Sequence, residues 1–277
     1  MIPQHPKAIT LAAILPQNKM KQILIFQYLI FTSLFILGQK IVNAQNKTII
    51  GTTIIISMLN DKIIIAADSK QTGIGQGRYD LEIPPKCKIC HIKDFFFAAA
   101  GNTEMVSPHI DFLSILENLK IDTIRSFHDK VVYSIEMLKK SVNSFVQNFN
   151  KFNPLLFDSL LKKPPLMQIV FAAFENKKPV SEVVNWEVRL TSNGWEVVST
   201  LMICNSIPRY LILGHGEAID SLMNGDSKIA NNLDEKTLNF LIESQVKSTP
   251  IIVGPPIDMV VIKSDGFKWI QKKQKCN

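Results

Sequence analysis

The chain has 277 residues, 46% of them hydrophobic, and a formal net charge of +7. That length is sufficient to bury a full core and fits one domain of roughly 225 residues once a leader is removed. Of 31 basic and 24 acidic residues, four basic and no acidic residues precede residue 45. Because the remaining basic residues are scattered along a nearly balanced chain, we expect no nucleic-acid partner.

The first 44 residues are typical of a targeting segment. Met20 and Lys21 give a positively charged start, Ile23 to Leu37 is mostly apolar, and Ala44 ends a small-residue cleavage site. We predict a secretory signal peptide cleaved after Ala44, and export to the periplasm or the medium. The apolar run is shorter than the ~20 residues of a spanning helix, so we expect no stable membrane anchor. Residues 1–19 fit neither interpretation, which favours Met20 as the true start.

A β-hairpin is predicted between Gly51 and Lys70. Thr53 to Met58 and Lys62 to Ala67 are apolar strand runs, and Asn60-Asp61 between them tolerates the backbone of a tight turn. Antiparallel pairing would return the second run beside the first. Asp68 is therefore expected near Thr52, although sixteen residues separate them.

Short motifs in and after this hairpin resemble the first part of a proteasome β-type subunit. They are Gly51-Thr52-Thr53, Ala66 to Ser69, Lys88 to Ile92 and Ala98 to Gly101. The peptidase subunit of the bacterial two-component protease is similar, and both are N-terminal nucleophile (Ntn) hydrolases. A weaker match at Leu213 to Gly216 and at Gly254 to Ile262 extends the resemblance over most of residues 51–270.

The rest of the chain alternates predicted strands and helices. Gln71 to Pro85, rich in Gly and Pro, predicts a loop, and Phe149 to Pro165 an extended linker. Two amphipathic helices are expected between them, capped by Asn102 or Thr103 and by Asp122. Strands are predicted at Lys86 to Ile92, Asp94 to Ala100, Met167 to Phe174, Glu182 to Thr191, Trp195 to Leu201, Ile257 to Lys263 and Phe267 to Ile270, and further helices at Glu217 to Met223 and Asp234 to Lys247. The class is α+β, and the resemblance implies a four-layer αββα sandwich of two antiparallel sheets between helical layers.

Thr52 is the candidate nucleophile. A threonine hydroxyl needs a base within reach, and a free α-amino group on the same residue, with a pKa of about 8, can supply it. That device works only at a chain start, so the resemblance implies self-cleavage of the Gly51-Thr52 bond. Residues 45–51 would then be a short propeptide and 52–277 the mature domain.

The resemblance implies three partners for Thr52. Lys88 would lower the pKa of the threonine groups electrostatically, Asp68 would orient and balance Lys88, and the backbone N–H of Gly101 would form the oxyanion hole. Thr53 is the alternative nucleophile. Taken singly these residue types are ordinary, since an aspartate after a strand usually caps a turn.

Three positions depart from the resembled family. Its members carry a serine where this chain has His215, and an aspartate and a serine where it has Pro250 and Val253. His215 can replace the serine as a hydrogen-bonding or proton-shuttling group, or be structural. These departures leave open a catalytically silent sandwich used for assembly or binding. Outside the resemblance, a third interpretation is an exported binding protein with a mixed sheet and no chemistry.

Cysteines and metal ligands carry little signal. Cys87 and Cys90 lie three apart in a predicted strand and would point to opposite faces, so we expect no bridge between them. We see no metal-ligand spacing or phosphate loop and expect no cofactor. The expected partners are a peptide or amide substrate and possible further copies of the chain in a homo-oligomer.

Overall fold

Antiparallel strands make up most of the folded chain. The computed structural model describes residues 48–75, 78–80, 85–105, 109–152, 154, 157–158, 165–192, 194–204 and 210–272, all within the unit that spans residues 44–277. The predicted signal peptide and its cleavage site lie outside these residues. In the described part of the chain, no helix is both long enough and apolar enough to cross a membrane.

The elements have the following bounds. The strands are β1 (Thr48–Ile50), β2 (Thr53–Met58), β3 (Lys62–Asp68), β4 (Thr72–Gly75), β5 (Arg78–Asp80), β6 (Ile89–Ile92), β7 (Phe95–Gly101), β8 (Glu104–Met105), β9 (Ile110–Asp111), β10 (Met167–Glu175), β11 (Lys178–Thr191), β12 (Gly194–Ile203), β13 (Tyr210–Gly214), β14 (Ile257–Lys263) and β15 (Gly266–Gln271). The helices are α1 (Phe112–Glu117), α2 (Phe127–Phe152), α3 (Glu217–Gly225), α4 (Ser227–Asn231) and α5 (Glu235–Ser248).

The predicted hairpin lies at the centre of the first sheet, whose order is β13-β2-β3-β14-β15. β2 and β3 pair antiparallel with Ile54 opposite Ala67, which places Asp68 at the same sheet end as Thr53. Both strands are continuous apolar runs because both of their faces are buried. Ile54 and Ile65 contribute to one core, and Ile55 and Ile64 to another.

The second sheet has the order β12-β11-β10-β7-β6, again antiparallel throughout. One core combines residues of both sheets, such as Ile56 of β2 and Phe96 of β7. Another joins the second sheet to α1 and α2, and a third joins the first sheet to α3 and α5. The observed class is therefore α+β with two antiparallel sheets, consistent with a sandwich.

A third, smaller sheet was not predicted from the sequence. Its order is β5-β4-β1-β8-β9, so residues 48–50 of the predicted propeptide form its central strand. The prediction of a loop from Gln71 to Pro85 was wrong at β4 and β5. Their glycines interrupt the apolar pattern of a strand, and β4 pairs with β1, which lies more than twenty residues upstream. β5 in turn pairs with β4.

Two helix starts also differ from the prediction. Asn102 and Thr103 precede strand β8, and α1 begins only after Asp111, whose side chain accepts a hydrogen bond from Ser114 N. Pairing of β8 with β1 and with β9 overrides the helical periodicity there. The second helix begins at Phe127, not after Asp122, and continues to Phe152, into the predicted linker.

Cys87 and Cys90 are not bridged to each other. Cys87 is disulfide-bonded, whereas Cys90 and Cys204 are free and buried. A Cys87–Cys90 bridge is therefore excluded, as the spacing predicted. The fourth cysteine, Cys276, lies outside the described residues.

Candidate active site

The Thr52 hydroxyl lies against the peptide bond that precedes it. Thr52 connects β1 to β2 and is 2% exposed, and its Oγ1 donates a hydrogen bond to the Gly51 carbonyl oxygen at 2.5 Å. Its own carbonyl oxygen accepts from His215 N at 2.9 Å. The predicted nucleophile is thus held beside the bond that self-cleavage would break.

Lys88 contacts the same carbonyl oxygen. Its ammonium Nζ donates to Gly51 O at 2.8 Å, to Lys70 O at 2.6 Å and to Asp68 Oδ1 at 3.2 Å. Lys88 lies just before β6, whereas the sequence predicted it within a strand. Only 5% of the residue is exposed. A positive charge therefore faces the carbonyl oxygen next to Thr52, in a site that excludes most water.

Asp68 accepts hydrogen bonds from four donors. Thr53 N at 2.7 Å and Lys88 Nζ contact Oδ1, while Lys70 N and Gly254 N, both at 3.2 Å, contact Oδ2. Burial raises the pKa of this fully buried carboxyl above its ordinary value, and the Lys88 charge and the donated hydrogen bonds oppose that rise. We call these five residues the Asp68 network.

The two neighbouring threonines have different partners. Thr53 is fully buried, and its Oγ1 donates to the His215 carbonyl oxygen at 2.5 Å. Its hydroxyl is therefore occupied away from the Gly51 carbonyl. Of the two hydroxyls, that of Thr52 contacts the predicted cleavage site.

His215 reaches the site through its backbone. Its N–H and C=O bond Thr52 and Thr53, whereas the imidazole Nδ1 lies 3.8 Å from Glu217 Oε1 and the side chain is 36% exposed. Gly214 before it has φ +76°, and a Cβ there would lie 2.0 Å from Thr52 O. Close backbone approach to Thr52 explains this glycine, and the contacts of His215 favour its structural interpretation.

The other predicted positions lie around the site without touching the Thr52 hydroxyl. Gly101 ends β7 with φ +95°, and a Cβ there would lie 2.8 Å from Leu166 O. Pro250 O accepts a hydrogen bond from Lys70 Nζ, and Val253 N donates to Thr249 O at 3.0 Å. The oxyanion-hole role of Gly101 stays a prediction.

Gly51 is held in a conformation that requires glycine. Its φ is +90°, and a Cβ would lie 2.6 Å from the backbone oxygen of Ile252. Sequence reasoning identified Gly51 as small but missed Ile252 as its neighbour. The contact brings together segments two hundred residues apart, which local sequence cannot reveal.

A second charged cluster, also missed, lies beside the third sheet. Lys86 Nζ forms ion pairs with Glu104 Oε2 at 2.9 Å and with Asp111 Oδ2, and Gln71 Nε2 donates to Glu104 Oε2 at 3.3 Å. Burial would lower the pKa of Lys86, but the two carboxylates raise it; burial would raise the pKa of Asp111, but Lys86 and Ser114 lower it. We call Gln71, Lys86, Glu104 and Asp111 the Lys86 network.

Comparison with known proteins finds similarity in structure alone. No protein-family model and no curated protein matches the sequence. A solved structure of an Anbu (Gly-1) mutant from Hyphomicrobium sp. strain MC1 matches with a TM-score of 0.51 at 12% identity, over 80% of this chain and 86% of that one. Anbu (ancestral beta-subunit) from Yersinia bercovieri has a TM-score of 0.49 at 10% identity, over 81% and 89%. The first likeness shows a similar fold and nothing about activity.

Proposed function

We propose that this chain is a threonine-nucleophile amide or peptide hydrolase that first cleaves its own Gly51-Thr52 bond. The observation that carries the proposal is the pair of contacts on one carbonyl: Thr52 Oγ1 at 2.5 Å and Lys88 Nζ at 2.8 Å from Gly51 O. A nucleophile and an electrostatic stabiliser on the same carbonyl are the two components that acyl transfer needs.

The self-cleavage step can be written with these groups. The Thr52 oxygen bonds to the Gly51 carbon, the carbonyl electron pair moves onto the oxygen that Lys88 contacts, and the hydroxyl proton passes to that same oxygen, to which the hydroxyl already donates. Breakage of the C–N bond, with proton uptake by nitrogen, leaves an ester and a free α-amine. Water then hydrolyses the ester to the Gly51 carboxylate and regenerates the Thr52 hydroxyl.

The mature enzyme would use the amine released in that step. Next to its own hydroxyl, the Thr52 α-amine is the base that the nucleophile requires. Asp68 holds Lys88 in place, and Lys88 supplies positive charge at the carbonyl oxygen of the substrate bond under attack. We assign Gly101 N–H as a further donor to that oxygen, and His215 a backbone role in holding Thr52.

The substrate's place is inferred from β1. Residues 48–50 pair with β4 on one side and with β8 on the other. An extended peptide in the same position would gain main-chain hydrogen bonds on both edges, as in β-strand addition. We therefore propose that a peptide substrate binds between β4 and β8 after β1 leaves.

The proposal also covers the layer arrangement, export and assembly. The three core clusters favour the four-layer αββα arrangement, since each sheet shares one core with the other sheet and one with helices. Export after cleavage at Ala44 and assembly into a homo-oligomer remain proposals from the sequence. N-terminal sequencing of protein secreted from an expression host tests the first.

A second candidate is a sandwich that is never cleaved and acts in assembly or binding. The observation favouring it is that β1 is the central strand of the third sheet, so its loss would separate β4 from β8. Pro250 and Val253, where the resembled family has an aspartate and a serine, also fit a silent member. The two candidates differ in their mature N-terminus.

Intact mass and N-terminal sequencing of purified Thr52→Ala, Thr52→Ser and wild-type protein test the proposal. We expect wild type and Thr52→Ser, which keeps a hydroxyl, to begin at residue 52, and Thr52→Ala to retain residues upstream of Thr52. A peptide epoxyketone, which reacts with a hydroxyl and a free α-amine together, is expected to label wild type and Thr52→Ser but not Thr52→Ala. An identical N-terminus in wild type and Thr52→Ala would refute self-processing.

A further inference from the structure

We propose that the substrate residue whose carbonyl is attacked carries a cationic side chain, lysine or arginine, selected by Glu104 and Asp111. This inference rests on the proposed function and adds the class of substrate. Its basis is the position and charge of the Lys86 network relative to a strand bound between β4 and β8.

Backbone register brings this network beside the reacting residue. Ile49 lies opposite Gly73 of β4 and opposite Glu104 of β8. Continuing the antiparallel register by two residues places position 51 opposite Gln71. Directly opposite residues share one face of a sheet, and alternate residues of a strand return to that face. A side chain at position 51 of a bound strand would therefore lie on the face of Gln71 and Glu104.

Side-chain contacts agree with that register. Gln71 directly precedes β4, and Glu104 begins β8 on the opposite side of β1. Their side chains are nevertheless hydrogen-bonded at 3.3 Å. Lys86 and Asp111 extend the same cluster through ion pairs. Gly51 itself has φ +90°, at which a Cβ would meet Ile252, and it places no side chain on the face of Gln71 and Glu104. The register applies to a substrate residue with extended backbone at this position.

The network has one more negative than positive charge. Glu104 and Asp111 share the single ammonium of Lys86, while the nearby Lys88 already pairs with Asp68. Lys140 and His109 line a cavity of about 660 Å³ together with Asp111. Among the described side chains, the ion pair that Asp111 forms is with Lys86. Burial raises the pKa of the adjacent Cys90 thiol, and the charge of Glu117 raises it further. A substrate cation would supply the missing positive charge.

Fluorogenic peptides that differ only in the residue before the cleaved amide test this preference. With arginine, leucine and aspartate at that position, we expect kcat/KM for arginine to exceed that for leucine by about tenfold, with aspartate lowest. A protein that cleaves leucine as well as arginine, or better, overturns the inference and leaves the hydrolase proposal standing. A protein that cleaves no peptide and does not begin at Thr52 overturns both.

Charge variants separate this network from general effects. Glu104→Gln is expected to reduce the arginine-to-leucine ratio toward one, and Lys86→Gln to increase it, because the first removes a negative and the second a positive charge. Glu196→Gln, an exposed glutamate on β12, is the matched control and is expected to leave the ratio unchanged. If Glu104→Gln keeps the wild-type ratio while its melting temperature is unchanged, the assignment of Glu104 is wrong.

Discussion

The Asp68 and Lys86 networks differ in how completely their charges are satisfied. Asp68 is fully buried and accepts four hydrogen bonds, with Lys88 as its charged partner at 6% side-chain exposure. Lys86 is 27% exposed and serves two carboxylates at once. An uncompensated charge in the Asp68 network would be very unfavourable, whereas solvent partly screens the charges of the Lys86 network. The first network is therefore suited to fix geometry, and the second can exchange partners with a substrate.

Asp68→Asn is expected to have the largest effect. The Asn amide would direct N–H groups at sites where Asp68 meets only donors, and Lys88 would lose its buried counter-charge. We expect a loss of about 3 kcal/mol or more in the free energy of unfolding, measured in urea, together with loss of self-cleavage. The sequence alone predicts the opposite if Asp68 is a turn residue, because Asn is then a near-equal replacement.

Asp111→Asn is the control for that experiment. Its pair with Lys86 is partly exposed, so we expect a loss of only about 1 kcal/mol. Equal losses for the two variants would contradict the distinction between the buried Asp68 network and the partly exposed Lys86 network.

Lys88→Met separates the effect of charge from that of packing in the Asp68 network. Methionine keeps much of the aliphatic stem but removes the donor to Gly51 O, Lys70 O and Asp68. We expect the rate of Thr52 release to decrease about 10²-fold or more, measured by intact mass over time, along with reduced stability. The control is Lys70→Met, whose ammonium contacts Pro250 O and not the Gly51 carbonyl. Normal release by Lys88→Met would remove Lys88 from the site.

Gly51→Ala tests whether the tight packing around the cleavage site is needed. The added Cβ would meet the Ile252 backbone at 2.6 Å, in a backbone conformation that alanine rarely adopts. We expect self-cleavage to slow by about tenfold or more. Gly225→Ala is the control, because no atom lies within 4 Å of a Cβ there. Cleavage at the wild-type rate in Gly51→Ala would show that this segment adjusts freely.

The smallest expected effect is the pH dependence of the Lys86 network. The pKa of Asp111 is lowered on folding, so its contribution to stability is present above the ordinary value of 3.8 and is lost as the pH decreases through the folded value. The pKa of Lys86 is raised, so its contribution holds below 10.5 and is lost as the pH rises through its folded value.

Thermal unfolding of wild type and Lys86→Met across pH measures this contribution. We expect a difference of about 1 kcal/mol that is constant between about pH 5 and 9 and shrinks at both extremes. A difference that grows toward acid would mean that the two carboxylates are not stabilised by Lys86.

The hairpin and its surroundings show what local sequence can predict. Two isoleucine-rich runs around Asn60-Asp61 specify β2, β3 and their turn, because continuous apolar runs need burial on both faces and the dipeptide permits a tight turn. Once that hairpin closes, Asp68 must lie beside the start of β2. The same reasoning located β7, β10, β14 and α5 because each has a strong local pattern.

Only the tertiary structure determined the third sheet and the Lys86 network. β1, β4, β5, β8 and β9 have two to four residues each, too few for a periodic signal, and they exist because distant segments satisfy one another's backbone groups. Gln71, Lys86, Glu104 and Asp111 are likewise ordinary polar residues in the sequence and become a network only when these strands meet. The sequence by itself therefore determined the hairpin that carries Thr52 and Asp68. The remaining features depend on pairings between residues far apart in the chain, which no local pattern records. They are the contact of Lys88 with Gly51, the backbone contacts of His215 and the Lys86 network.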